Sequence, residues 1–419
     1  MNRIAFTDRP WIPYRGMLSV GPVTPPSVEQ IRSSLRMVAS AFPDQPLVSR
    51  FDPAALRWQR VAPDELEDHL RTIVVGGYDI DAASLEEQSP VWVRDCDPLL
   101  PIKILVGEHC LTVLSSHALG DGRAEFALLE RLLRCDERPE ELLDWIGPSS
   151  DASTLRALTD FYVRKPWRII RTLRSPRPAP ASSVLPAADG PADSRPALVY
   201  SRADRETWSA IGEWRTRSFP EVSLASVLFM LICRAFASSG LDVDSSGFYM
   251  LVDNRRYLRG AAPLGGNLAK SVYVRPGDLS DPAKIQRTIR ETVHSGRTLA
   301  SSALSAATNE RQRRLLARTG RSTGWVPNNE VILSLSYMGR NTSFEALPWF
   351  GDGDRWLGGA GTTGSPSGIS VFCAEVNGEL HTSVTYVPGR VDEAAVRRAL
   401  ATLEAGPPSG RRADAEDRV

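Results

Sequence analysis

Val28, Ile31, Leu35 and Val38 recur at helical spacing behind Pro25-Pro26-Ser27, and Pro43 closes the run, so the spacing predicts a helix there. The apolar runs Ile102-Lys103-Ile104-Leu105-Val106 and His109-Cys110-Leu111-Thr112-Val113-Leu114 flank Gly107-Glu108, a two-residue connection with Gly first, which predicts a type II′ hairpin. His117-Ala118-Leu119-Gly120-Asp121-Gly122 follows, and then Phe126, Leu129, Leu132 and Leu133 at helical spacing. The expected order is strand, tight loop, helix.

From about Ser175 to Pro196 the chain is Pro, Ala, Ser and Gly with almost no periodic apolar pattern, which marks a linker between a first unit, residues 1–174, and a second, residues 197–405. The second unit opens on the strand Ala197-Leu198-Val199-Tyr200. Helices are expected near 204–216, 222–237 and 281–297, and strands near 247–253 and 269–275. Gly368 to Val376 and Glu379 to Tyr386 are joined by Asn377-Gly378, the strongest short hairpin signal. Residues 406–419 read as a frayed tail.

Composition narrows the function classes. With 419 residues, 42% of them hydrophobic, and 50 Lys+Arg balanced by 50 Asp+Glu, the chain has ordinary globular composition and no net charge to recommend nucleic acid as a partner. Cys96, Cys110, Cys135, Cys233 and Cys373 are odd in number and widely spaced, with no C-x-x-C pair and no His/Cys cluster at metal-ligand spacing. They read as buried thiols, and no metal site is expected. The start of the chain lacks the apolar core of a signal peptide. Val222 to Phe236 is interrupted by Arg234 and is shorter than the roughly 18–20 residues of a membrane span. A cytoplasmic protein is the expectation.

The candidate chemistry lies at His117. Strand alternation puts Leu111, Val113, Ser115 and His117 on one face, and the imidazole at the strand end is followed by a loop closed by Gly120-Asp121-Gly122. Such a mount suits a general base. The pattern H-x-x-x-D-G is expected by chance only about 0.02 times in a chain of this composition. A satisfied core histidine, with Asp121 merely capping the following helix, is the competing reading. Gly359-Ala360-Gly361-Thr362-Thr363-Gly364 spells G-x-G-x-x-G, but Trp356-Leu357-Gly358 is a poor strand and no helix follows, so a cleft-lining loop is expected rather than a nucleotide site. The basic run Arg164 to Arg174 reads as a solvated helix face, or as a basic amphipathic surface for an acidic carrier protein, CoA phosphates or a membrane interface.

Ser115-Ser116-His117-Ala118-Leu119-Gly120-Asp121-Gly122 resembles the H-H-x-x-x-D-G signature of the chloramphenicol acetyltransferase-like superfamily, which includes condensation domains, polyketide-associated acyltransferases and wax ester synthase-type acyltransferases. Pro90-Val91-Trp92-Val93-Arg94 and the 102–114 hairpin are similar to the approach to that motif. Val252-Asp253-Asn254-Arg255-Arg256 followed by Gly265-Gly266-Asn267-Leu268 is similar to the family's D-x-R … G-N stretch, and Ser334-Leu335-Ser336-Tyr337-Met338-Gly339-Arg340 to its S-N-x-G stretch. The first histidine of the signature is Ser116 here.

The resemblance implies an α/β fold of the α+β sandwich type: two lobes with a central cleft or tunnel and His117 near its middle. It implies acyl transfer from a CoA or phosphopantetheinyl carrier-protein thioester to a small-molecule alcohol or amine, with no bound cofactor, in specialised metabolite or lipid biosynthesis. His117 is then the general base, Asp121 and Gly122 shape the loop, Arg255 pairs with Asp121, and Ser116, Asn267 and Ser336 are candidates for the oxyanion or the cleft. Two alternatives stand beside it: a non-catalytic binding or recruitment module, and a same-fold enzyme of other chemistry such as cyclisation, dehydration or epimerisation.

Overall fold

The computed structural model describes residues 2–12, 14–53, 55–145, 150–176, 196–260, 262–304, 331–351, 354–363 and 367–407. Most of the expected linker, most of the tail, and Gly364 and Pro366 lie outside the described residues.

The first half is built on a five-stranded sheet whose strands lie in the order Trp356–Gly361, Arg15–Gly21, Leu111–Ser116, Ile102–Val106 and Val74–Gly76. Its helices, Val28–Ala41, Leu66–Ile73 and Gly122–Leu132, bury Ile31, Leu35, Leu70, Ile73, Phe126 and Leu129 against the face carrying Leu18, Leu111 and Val113. Ser27 and Gln30 form a reciprocal capping box at the first of these helices. On the opposite face Met17, Leu114 and Cys110 pack with Leu85 and Trp356.

The second half has a six-stranded mixed sheet in the order Ala269–Val274, Phe248–Asp253, Ile332–Arg340, Gly368–Val376, Glu379–Tyr386 and Ala197–Ala203. Helices Arg205–Ser218, Leu224–Ser238, Pro282–His294 and Glu393–Glu404 cover one face, where Leu333, Leu335, Val371 and Val384 are buried. Strand alternation turns Ser334, Ser336 and Met338 to the other face, together with their cross-strand neighbours Ser370 and Phe372. Met338 and Phe372 pack against the core of the first half, so this face looks toward it. A small third sheet joins Asn2–Arg3, Arg57–Arg60 and Ser49–Asp52.

Three expectations change. The 102–106 and 111–116 strands pair Val106 with Leu111, so Gly107–Cys110 is a four-residue connection and not a two-residue type II′ turn. Cys110 leaves the strand because its thiol donates to the Tyr78 carbonyl at 3.3 Å, while the Gly107 N–H donates to the Cys110 carbonyl. Trp356–Gly361 is a strand and not a loop: glycines 358 and 359 let it pass against Leu85 and Phe372, and it pairs antiparallel with Arg15–Gly21. The first G-x-G of the glycine motif therefore lies inside a sheet, and the next element is another strand, with no helix for a phosphate to cap. The third helix of the second half ends at His294, three residues early, where the Ser295 N–H bonds back to Glu291 and Val293. The Asn377-Gly378 hairpin forms as expected, both residues having positive φ (54° and 80°).

Candidate functional site

The motif strand Leu111–Ser116 delivers His117 at its end, where the His117 N–H donates to the Tyr14 carbonyl at 3.0 Å. Its imidazole is held from one side only. Nδ1 lies 3.3 Å from the Gly120 carbonyl and 3.8 Å from Oε1 of Glu125, and the ring sits 5.9 Å from that of Trp11, centroid to centroid. With a proton on Nδ1 the Gly120 carbonyl is satisfied and Nε2 carries a lone pair. Among the described residues Nε2 has no hydrogen-bond partner, and about a quarter of the side chain is exposed (26%). Gly16 makes room: a Cβ there would come within 2.9 Å of Glu125 Oε1 and 3.4 Å of His117 Nε2.

Glu125 is the residue that the sequence reading missed. It lies one turn beyond Asp121 on the helix Gly122–Leu132, 12% exposed in its side chain, and the Ser115 hydroxyl donates to its Oε1. The available signal was a lone acid between Ala124 and Phe126 on the buried face of a helix, at a place where a carboxylate needs a partner. Ser115, Glu125 and His117 thus share the face that strand parity assigned to the histidine.

Asp121 is the hub of the loop. Its Oδ1 caps the helix by accepting from Ala124 N at 3.1 Å. Its Oδ2 accepts from Arg255 Nη1 at 2.7 Å, Leu268 N at 2.7 Å and Ala269 N at 2.9 Å. Both side chains of the ion pair are buried, at 4% and 2% exposure. Arg255 sits on a short turn, Asn254–Tyr257, that follows the strand Phe248–Asp253. Its remaining N–H groups reach Asp253 and the carbonyls of Pro263, Leu264, Gly265 and Gly266. Burial pulls the guanidinium pKa down, yet the charge and hydrogen bond of Asp121, with Asp253, hold it above its ordinary value. Gly120 bridges Gly266 in parallel, and Arg123 pairs with Asp253 at 3.0 Å. The motif loop is therefore fastened to the second half along its whole length.

The other sequence candidates fall in different places. Gly122 begins the helix, with the Met338 sulfur 3.9 Å from where its Cβ would be. Asn267 donates Nδ2 to the His117 carbonyl at 3.0 Å, and its N–H donates to the Ser150 hydroxyl, so it braces the loop from below. Ser116 points to the face opposite His117, where its Oγ accepts from Ala118 N and it helps line a small cavity with Ile12, Phe51, Trp58 and Pro101. Ser336 lies on the inward face of its strand beside Phe372, two residues before Met338. Among the described residues no group of three or more His, Cys, Asp and Glu side chains is arranged to hold a metal ion, and no helix is long and apolar enough to cross a membrane.

No protein-family model matches the chain, and no curated protein matches its sequence. Solved structures match over nearly its whole length. The condensation domain of the Monacolin K polyketide synthase superposes with a TM-score of 0.56 at 11% identity, covering 96% of either chain. The protein has the condensation-domain fold. Polyketide synthase associated protein 5 from Mycobacterium tuberculosis shares this fold with a TM-score of 0.55 at 15% identity, over 96% of this chain and 97% of that one. Trichothecene 15-O-acetyltransferase from Fusarium sporotrichioides does so at 0.55 and 13%, over 96% and 94%. A further Fusarium sporotrichioides structure with the condensation-domain fold, solved with coenzyme A and T-2, matches at 0.52 and 13% over 95% and 96%.

Proposed function

We propose that the protein is an acyltransferase that moves an acyl group from a CoA or carrier-protein thioester to a hydroxyl or amine acceptor, with His117 as general base. The observation that carries this reading is the imidazole itself: Nδ1 is engaged by the Gly120 carbonyl beside Glu125, and Nε2, in a side chain 26% exposed, has no hydrogen-bond partner among the described residues, beside a glycine, Gly16, whose missing Cβ leaves it uncrowded. Nε2 takes the acceptor proton as its oxygen or nitrogen attacks the thioester carbonyl. The tetrahedral intermediate collapses, the C–S bond breaks, and the departing thiolate recovers the proton from the imidazolium. The products are an ester or amide and a free thiol, and no covalent enzyme intermediate is needed. A base so placed is worth about 10²–10⁴-fold in rate. Glu125 acts as a positioning residue that keeps the ring oriented.

Asp121, Gly122 and Arg255 then serve architecture, and Asn267, whose amide already supports the His117 backbone, belongs with them. Ser336, on the inward sheet face, is the candidate donor to the oxyanion. The reading places donor and acceptor in a cleft between two lobes, residues 1–174 and 197–405. Similar structures that are acetyltransferases or hold coenzyme A support this chemistry by fold. The test is thiol release from a panel of acyl-CoAs and acyl-carrier proteins offered with mixed alcohols and amines. Release that requires an acceptor and disappears in His117→Ala, with the melting temperature unchanged, supports the proposal. Equal turnover by His117→Ala, or a folded protein that binds a donor and never releases thiol, overturns it in favour of the recruitment module or another chemistry.

A further inference from the structure

The helix Trp167–Arg174 buries none of its residues. It touches the body of the protein through one side. Thr172 Oγ1 donates to the Ser295 carbonyl and bonds Tyr162 Oη at 2.9 Å, and the Arg168 guanidinium stacks 4.2 Å over the Phe161 ring. At about 100° per residue, Ile169, Leu173, Ile170 and Trp167 then span roughly 160° of the opposite side and face outward. Their exposures run from 47% for Ile169 to 66% for Leu173. Leu155 and Val163, on the segment that leads into this helix, are 66% and 72% exposed. Among the described residues thirteen large hydrophobic side chains are exposed, and six of them fall within these nineteen positions. Scattered exposed apolar residues need no explanation, but this concentration does.

The charge around it is equally lopsided. Residues 155–174 hold six cations (Arg156, Arg164, Lys165, Arg168, Arg171 and Arg174) against one carboxylate, Asp160, in a chain whose formal net charge is zero. Arg171 borders the apolar arc beside Trp167, and Arg174, in the last turn, falls within the arc about 20° from Trp167, where long basic side chains can lie along the strip with their heads toward water. A second copy of this chain is a poor occupant, because the same cations would face one another across the contact. An apolar strip with an exposed tryptophan and a cationic rim fits an interface that is itself apolar below and anionic above.

We propose that the Trp167–Arg174 helix docks the protein on anionic phospholipid surfaces, lying in the plane of the interface with Trp167, Ile170 and Leu173 inserted. The docking is independent of acyl transfer at His117. The test uses the full-length protein and vesicles of phosphatidylcholine, with or without about one-third phosphatidylglycerol, in a flotation assay. Binding is expected on the anionic vesicles, about tenfold weaker on phosphatidylcholine alone and strongly reduced at 0.5 M salt. Trp167→Ser/Ile170→Ser/Leu173→Ser should lose about tenfold or more in partitioning with an unchanged melting temperature, since none of the three is buried. Brominated lipid should quench tryptophan emission in the native protein and much less in Trp167→Phe. The proposal is overturned if anionic vesicles leave the protein unbound, if the triple variant binds them as well as the native protein, or if the patch instead drives a dimer that the triple variant abolishes.

Discussion

Asp121→Ala removes one side chain and four hydrogen bonds: those from Arg255 Nη1, Leu268 N, Ala269 N and Ala124 N. The guanidinium it leaves behind is 2% exposed and keeps only Asp253 as a charged partner, at 3.2 Å. Breaking a buried pair from one side costs about 3–5 kcal/mol. Loss of the helix cap adds about 1 kcal/mol, and the two stranded backbone N–H groups raise the total further, although these shares overlap. A destabilisation of about 4–6 kcal/mol is expected, which for a chain of 419 residues is a melting temperature ~5–7 °C lower. Urea denaturation of native, Asp121→Asn, Arg255→Met and the double variant measures the coupling, which should be at least about 2 kcal/mol. Asp121→Asn retains an acceptor for the cap and serves if the alanine variant does not fold. Hydrogen exchange at the Leu268 and Ala269 amides should quicken in Asp121→Asn before the global transition moves far. A coupling below about 0.5 kcal/mol, or unchanged exchange at those two amides, refutes the assignment of Asp121 as the fastener between the halves.

Two further outcomes follow from groups near or behind the site. Glu125→Gln keeps the Ser115 contact but removes the charge 3.8 Å from His117 Nδ1, so kcat should fall about tenfold with KM unchanged; a KM effect alone would point to a structural role. Burial, with Arg50 nearby, depresses the His69 pKa to about 4, and burial, with Arg202 nearby, depresses that of His381 to about 3. Because both folded values lie below the unfolded value of about 6.5, the unfolded chain binds more protons as pH falls through 6.5. Stability is therefore fully present above that pH and is lost below it, by about 2 kcal/mol per histidine at pH 5. Urea midpoints at pH 7.5 and pH 5 check this, and His69→Leu should shrink the difference.

The sequence made the motif region legible because its signals are local. Strand parity placed Ser115 and His117 on one face, Asp121 sat where a cap belongs, and the apolar period after it fixed the helix. The pairing of Asp121 with Arg255 was also within reach, but only through a family resemblance, since the two are 134 positions apart and no local rule joins them. Trp356–Gly361 was illegible for the converse reason. Its three glycines have poor strand propensity, and it becomes a strand because the edge of Arg15–Gly21 supplies hydrogen-bond partners and its lack of side chains admits Leu85 and Phe372. Glu125 was overlooked because a single acid in an amphipathic helix gains meaning only when the neighbouring strand brings a histidine to it.

These non-local features have a common consequence. The loop bearing His117 is held by the first half through the Tyr14 carbonyl and by the second through Asn267, Gly266, Leu268 and Arg255. The edge strand Trp356–Gly361 runs the other way, from the second half into the sheet of the first, and the Ser383 hydroxyl accepts its Gly359 N–H at 3.1 Å. Among the described residues backbone contacts thus join the halves at several places, the Val23–Trp349 bridge included, and one of these places is the motif loop itself. Any displacement of the halves that broke the Gly120–Gly266 bridge would also move the carbonyl that His117 Nδ1 contacts. Orientation of the His117 ring and assembly of the two halves in this way depend on the same set of bonds, so a variant that loosens the Asp121 fastener should lose the proposed acyl transfer at temperatures well below its unfolding transition.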